Sequence, residues 1–143
     1  MDFLTDTFDG DTLEWATLPI RLVLGFVFLD SGLAKFRRGI GGTGDWFAGL
    51  GLPFPQFSAR LVASTELCGG ALLLAGLFTH WVAIPLAVNM TVAACIQRFK
   101  LHAPFRGGDV QGYELDLLMV AGALTLALSG AGPLSLDRVI EGA

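Results

Sequence analysis

Six ionisable residues lie inside or at the edge of apolar runs: Arg21, Asp30, Lys35, Glu66, Glu114 and Asp116. A charge at mid-bilayer costs about 2.5–3.5 kcal/mol on insertion scales. Such groups face protein or water, and they stand as candidates for proton transfer or ligand contact. Glu66 is the sharpest of them. It sits well inside its run, with Ala63, Gly69, Gly70 and Leu73 on the same helical face. A carboxylate there is either protonated or paired with a base. Arg21 and Lys35 are the bases within the first run, and spacing leaves open which of them pairs with it. A buried carboxylate beside a base suits proton exchange, so Glu66 and Lys35 are the candidate catalytic residues. The competing reading is an ion pair that only locks helices together.

The stripe that carries these bases is itself informative. At 3.6 residues per turn, Arg21, Gly25, Phe28, Gly32 and Lys35 share one side of a helix. Small residues on such a stripe let a neighbouring helix come close. Gly25, Gly32, Gly69 and Gly70 are therefore expected to pack helices. Asp30 lies on the opposite side, facing another helix or a second chain. Arg21, Asn89, Glu114, Asp116 and His102 are the candidate ligand-binding residues. Each has a plainer alternative. Arg21 and Lys35 can snorkel to headgroups. Asn89 can serve the carbonyl freed by Pro85 one turn before it. Glu114 and Asp116 can be helix N-terminal acids favoured by the dipole. His80 and His102 lie in loops without a metal-ligand pattern. Cys68 and Cys95 form no CxxC or zinc spacing, so no metal is expected.

The elements that must position these residues follow from composition. The chain has 143 residues, 53% hydrophobic and 15% charged, with a net charge of −4. Its mean hydropathy is +0.63. These values exclude a disordered chain and a basic nucleic-acid binder, and they disfavour a soluble enzyme. Four apolar spans stand out, over about residues 18–36, 59–78, 81–97 and 114–131. A bilayer core needs ~20 residues of helix, with a range of ~17–25. Backbone groups in lipid must pair internally, and no period-2 pattern suggests a barrel, so helices are expected. The fold class is all-α: an integral membrane bundle of four transmembrane helices, one domain over residues 1–143. Residues 1–16 are expected to be an acidic tail. Residues 39–44 (GIGGTG) read as flexible, and Asp45–Leu50 as one interfacial turn carrying Trp46 and Phe47. Residues 79–80 read as a tight turn between the second and third spans.

Charge placement orients the bundle. Five acids (Asp2, Asp6, Asp9, Asp11, Glu14) precede the first base, the reverse of a signal peptide. The chain is therefore expected to enter the membrane through its own helices, with nothing cleaved. Loops one and three share a side and hold Lys35, Arg37, Arg38, Arg60, Arg98, Lys100 and Arg106. The other side holds only Arg21 and Arg138. This places loops one and three in the cytoplasm and both termini outside.

Four stretches, in order, resemble the DoxX family of small four-helix bacterial membrane proteins. They are R-LVL-G-FVFLDS-G-LA-K-F from Arg21, E-LC-GG-ALLLA-G-L-F-T from Glu66, A-V-NM-TVAA from Ala87, and G-A-G-P-L-S-L-D from Gly130. The likeness covers roughly residues 16–138. Its family-like positions are Arg21, Gly25, Gly32, Lys35, Glu66, Gly70, Asn89, Gly132, Ser135 and Asp137. The resemblance implies a multi-pass protein of the bacterial inner membrane, linked to sulfur or oxidative-stress metabolism. With the intramembrane charges, it suggests a redox-associated subunit or accessory protein. A quinone would be the cofactor, with its head group between helices one, two and four. Catalysis by this chain alone is left open. Partners would be the lipid bilayer, a soluble redox enzyme on the cytoplasmic side and a second copy of the chain, with no nucleic acid. The alternatives are a non-catalytic scaffold and, behind it, a small-molecule permease.

Overall fold

The computed structural model describes residues 10–142 apart from Val110, with side chains from Glu14 onward. The tail acids Asp2, Asp6 and Asp9 lie outside the described residues. The architecture is all-helical. Helix α1 spans Gly10–Arg38, so the segment from Gly10, read as tail, is the first part of a long helix. Helix α2 spans Ile40–Gly49. Helix α3 spans Pro55–Ala75. Helix α4 spans Thr79–Cys95 and runs on through a π-type turn, Ile96–Lys100. Helix α5 spans Glu114–Ser129, and a short α6 spans Leu136–Glu141.

Glu14–Arg38, Pro55–Ala75 and Thr79–Lys100 are long and apolar enough to cross a membrane. The third span reaches that length because the helix continues past Cys95. Helix α5 has 16 residues, about 24 Å at 1.5 Å per residue, and completes a bundle of four. The glycine-rich residues 40–44 are helical rather than flexible, and the expected single turn at 45–50 belongs to the same ten-residue α2. Phe47 is buried under α2, while Trp46 is exposed.

The turns have local causes. Pro55 opens α3, where its missing N–H is not needed. Gly76 closes α3 in the left-handed region, at φ 66°. There the Gly76 N–H bonds the Leu73 carbonyl at 3.1 Å and the Leu77 N–H bonds Leu72 at 2.9 Å. The turn between α3 and α4 thus falls at residues 76–78, earlier than the expected 79–80. It makes α3 and α4 an antiparallel pair.

The core is one cluster of Leu24, Phe28, Leu73, Ala83, Leu86, Met90, Met119 and Leu126, drawn from all four spans. The outer faces are apolar too. Phe26, Trp81, Leu118 and Leu128 are 66%, 75%, 73% and 85% exposed. In water such a surface would drive aggregation; in a bilayer it meets acyl chains. Van der Waals fit then decides how the helices associate. Glycines supply that fit between α1 and α3. A Cβ on Gly32 would lie 2.5 Å from the backbone nitrogen of Leu67. One on Gly70 would lie 2.8 Å from the Gly25 carbonyl oxygen. A Cβ on Gly25 would lie 3.0 Å from the Leu74 backbone nitrogen, and one on Gly69 would lie 3.0 Å from the Leu86 side chain of α4.

Candidate functional site: a buried charge cluster on Glu66

The close α1–α3 approach sets two polar residues of α1 against Glu66. Gly32 touches Leu67, so its neighbour Ser31 and Lys35 one turn on face the turn of α3 that carries Glu66. The Lys35 ammonium donates to Glu66 Oε2 at 2.5 Å. The Ser31 hydroxyl donates to the same oxygen at 2.9 Å. Lys35 Nζ also donates to Ser31 Oγ at 2.9 Å. From α4, Asn89 Nδ2 donates to Glu66 Oε1 at 3.0 Å. Glu66 of α3 is thus held by donors from two other helices. Its side chain is 3% exposed, while that of Lys35 is 21% exposed. The acid is sealed and the base reaches toward the surface.

The pairing left open by spacing is now decided. Lys35 takes Glu66. Arg21, also buried, donates through Nη1 to the Ala131 carbonyl and through Nη2 to the Leu134 carbonyl at 2.5 Å. Arg21 therefore ties the chain after α5 to α1, and its Nε has no hydrogen-bond partner. Asn89 spends an N–H on Glu66 rather than serving the Pro85 kink.

The remaining candidates separate. Asp116, 6% exposed in the first turn of α5, accepts from Gln97 Nε2 at 2.8 Å. Glu114 accepts from the Gly107 N–H at 3.2 Å and lies 3.8 Å from Arg106 Nε. It closes the loop before α5 on itself. His102 is exposed in that loop, at φ 50°. Asp30 is exposed on the outer face of α1, and no ion pair reaches it among the described residues. The cluster is thus assembled from the first, second and third spans, not from the first, second and fourth. Ser31 and Gln97 were not singled out from the sequence. A hydroxyl one turn before Lys35 was the available signal for Ser31, and a lone amide at the end of the third span for Gln97.

The far end of the bundle is a structural clasp. Asp137 accepts from the N–H groups of Phe78 at 2.6 Å and Thr79 at 3.0 Å, capping α4. Ser135 Oγ donates to the Gly132 carbonyl at 2.8 Å and accepts from Arg138 N–H at 3.3 Å. Arg138 pairs with Glu14 at 2.6 Å. A cavity of about 470 Å³ opens here beside His80, Asp137 and Arg138. Glu66 does not line it. Glu14, Asp137 and Arg138 of its lining are engaged in the clasp. No group of three or more metal-ligating side chains occurs among the described residues.

A four-helix membrane bundle with an internal Lys–Glu pair is the class of protein that this fold and site define. The DoxX family model matches residues 16–102, and the chain belongs to that family. It is 38% identical over 129 residues to a Bacillus subtilis (strain 168) protein named "Putative oxidoreductase CatD", covering 90% of each chain. It is 34% identical over 130 residues to an uncharacterized membrane protein of Mycobacterium tuberculosis, covering 86% of this chain and 80% of that one. It is 30% identical over 126 residues to the Escherichia coli (strain K12) inner membrane protein YphA, covering 85% and 87%. No solved structure matches the chain.

Proposed function

We propose that the protein is a redox-associated subunit of the cytoplasmic membrane whose Lys35–Glu66 pair handles a proton at a bound quinone head group. One observation carries this reading. A sealed carboxylate sits 2.5 Å from an ammonium whose side chain is 21% exposed. An interior acid is thus wired to a base that the surrounding medium reaches. The name of the Bacillus subtilis relative supports a redox setting.

The donor set fits a quinone. An ammonium has three N–H donors. Lys35 uses one on Glu66 and one on Ser31, which leaves one uncommitted. That donor suits a carbonyl oxygen that gains negative charge, and a preorganised donor there stabilises the charged state. When bound, a quinone accepts two electrons and two protons, the electrons coming from a redox partner. Lys35 would supply the two protons in turn at its free N–H, recharged each time from the medium that its side chain reaches. Glu66 holds the amine in place and stabilises its recharged form, and Ser31 and Asn89 keep the carboxylate oriented. The excess of bases on loops one and three supports a cytoplasmic position for this end of the bundle.

A second reading has its own observation. Both carboxylate oxygens of Glu66 are satisfied by donors from α1 and α4, as in a purely structural lock. The protein would then be a scaffold whose basic loop, with Arg98, Lys100 and Arg106, docks a soluble redox enzyme. Mass spectrometry of the lipid extract of mildly purified protein separates the two. Quinone enriched with wild type and lost with Glu66→Gln is the expected result. No enrichment from equally folded samples would overturn the quinone reading and favour the scaffold.

A further inference from the structure

The cavity at the clasp end holds about 470 Å³, within the roughly 300–1,000 Å³ of small-molecule sites. Its wall is built from the start of α4, the end of α5 and α6. Phe78 and Trp81 belong to that wall, and both are largely exposed. They stand where the membrane-crossing span Thr79–Lys100 begins. Aromatic residues at such a position mark the level of the lipid head groups. The cavity therefore meets both water and the edge of the acyl chains.

Pairing within the wall leaves one carboxylate over. Glu14 pairs with Arg138 at 2.6 Å. Asp137 is spent on the N–H groups of Phe78 and Thr79. Arg21, behind the wall, is turned to the carbonyls of Ala131 and Leu134. The side chain of Glu141 lines the cavity and makes no ion pair among the described residues. Arg21 is also the first base of the sequence, so no side chain before it can supply a cation. The end of α5 borders the cavity at Ser129 and Gly130, and a helix C-terminus favours positive charge. Thr79 adds an independent sign. It borders the cavity, it is fully buried, and its hydroxyl has no hydrogen-bond partner. A buried hydroxyl left unpaired is costly, and folded proteins seldom leave one.

We propose that this cavity binds a primary ammonium group, carried by a free amine or by the head group of an aminophospholipid. An ammonium is a compact cation with three N–H donors. Its charge balances Glu141, and one of its N–H groups is accepted by the Thr79 hydroxyl. The faces of Phe78 and Trp81 attract the same cation. His80 supplies a further acceptor: its Nδ1 lies 2.8 Å from the Ala127 carbonyl and carries the hydrogen of the neutral ring, which leaves Nε2 a lone pair. An anion in this cavity would meet an uncompensated carboxylate and the negative end of α5. The site is separate from the Glu66 cluster and stands whether or not that cluster handles a quinone.

Two titrations of the full chain in uncharged detergent test this. Native mass spectrometry follows binding of phosphatidylethanolamine against phosphatidylglycerol. Calorimetry follows ethanolamine hydrochloride against the same concentration of sodium chloride. Phosphatidylethanolamine held in preference to phosphatidylglycerol assigns the site to a lipid head group. Saturable ethanolamine binding without a lipid preference assigns it to a free amine. Glu141→Gln and Thr79→Val should each weaken the observed binding about tenfold or more, the worth of one hydrogen bond to a charged group. Both variants should fold, because Glu141→Gln removes only charge at an exposed position and Thr79→Val keeps the backbone N–H that Asp137 accepts. Neither ligand bound by wild type, or binding unchanged in either variant, overturns the proposal.

Discussion

Adding one methyl group at Gly32 perturbs both the packing and the candidate site. A Cβ there would lie 2.5 Å from the Leu67 nitrogen, 2.8 Å from its Cα and 2.9 Å from its Cβ. The first two are backbone atoms, so no rotamer change relieves the clash. Ordinary contact begins near 3.4 Å, so α1 and α3 must part by about 1 Å. Overpacking of this kind costs about 1–3 kcal/mol. The same movement stretches the adjacent Lys35–Glu66 pair from 2.5 Å. Attraction falls as the inverse of distance, so about 1 Å of stretch weakens it by roughly 30%. Gly32→Ala should therefore lower unfolding stability in detergent by about 1–3 kcal/mol and reduce quinone enrichment with it. Gly41→Ala is the control, because nothing lies within 4 Å of its Cβ position in α2. Helix propensity alone predicts that it is neutral or stabilising by up to about 1 kcal/mol. Equal stability of Gly32→Ala and wild type, or equal loss in the two variants, would refute the close α1–α3 packing and its coupling to the site.

Three further outcomes follow from the same geometry. Lys35→Met leaves Glu66 buried without its cation and should destabilise by about 3–5 kcal/mol, whereas Lys35→Met/Glu66→Gln should recover most of that loss. Additive losses in the double-mutant cycle would show that the two residues do not interact. Asp137→Ala removes the acceptor for the Phe78 and Thr79 N–H groups and should cost about 1–2 kcal/mol, read as a lower thermal midpoint. An unchanged midpoint would remove Asp137 from the clasp. For orientation, a cysteine appended to the C-terminus should react with an impermeant thiol reagent in intact cells, on a background lacking Cys68 and Cys95. A cysteine placed at His102 should be protected, and the reverse pattern would invert the assignment.

The sequence by itself was enough for the class of structure. Hydropathy is a local property, and four apolar runs in a chain with so little charge admit only membrane-spanning helices. Family-like residues at matching positions added the family. The helical stripe through Gly25 and Gly32 also showed which face of α1 could approach a neighbour, because a stripe depends only on helical period. What the sequence left open was every contact between distant segments. It offered Glu66 two bases and could not choose. The choice follows from the register of α1 against α3, which places Ser31 and Lys35 beside Glu66 and leaves Arg21 two helical turns or more away, at the other end. There the carbonyls of Ala131 and Leu134, more than a hundred residues along the chain, occupy its guanidinium. Gln97 was silent for the same reason: a lone amide at a helix end acquires meaning only from Asp116 on another helix. Even the glycine-rich residues 40–44, read as flexible, are held as helix with α2 packed on α3 and Phe47 buried. Local propensity proposed a loop, and tertiary burial decided otherwise, because packing an apolar face outweighs the roughly 1 kcal/mol that each glycine costs a helix.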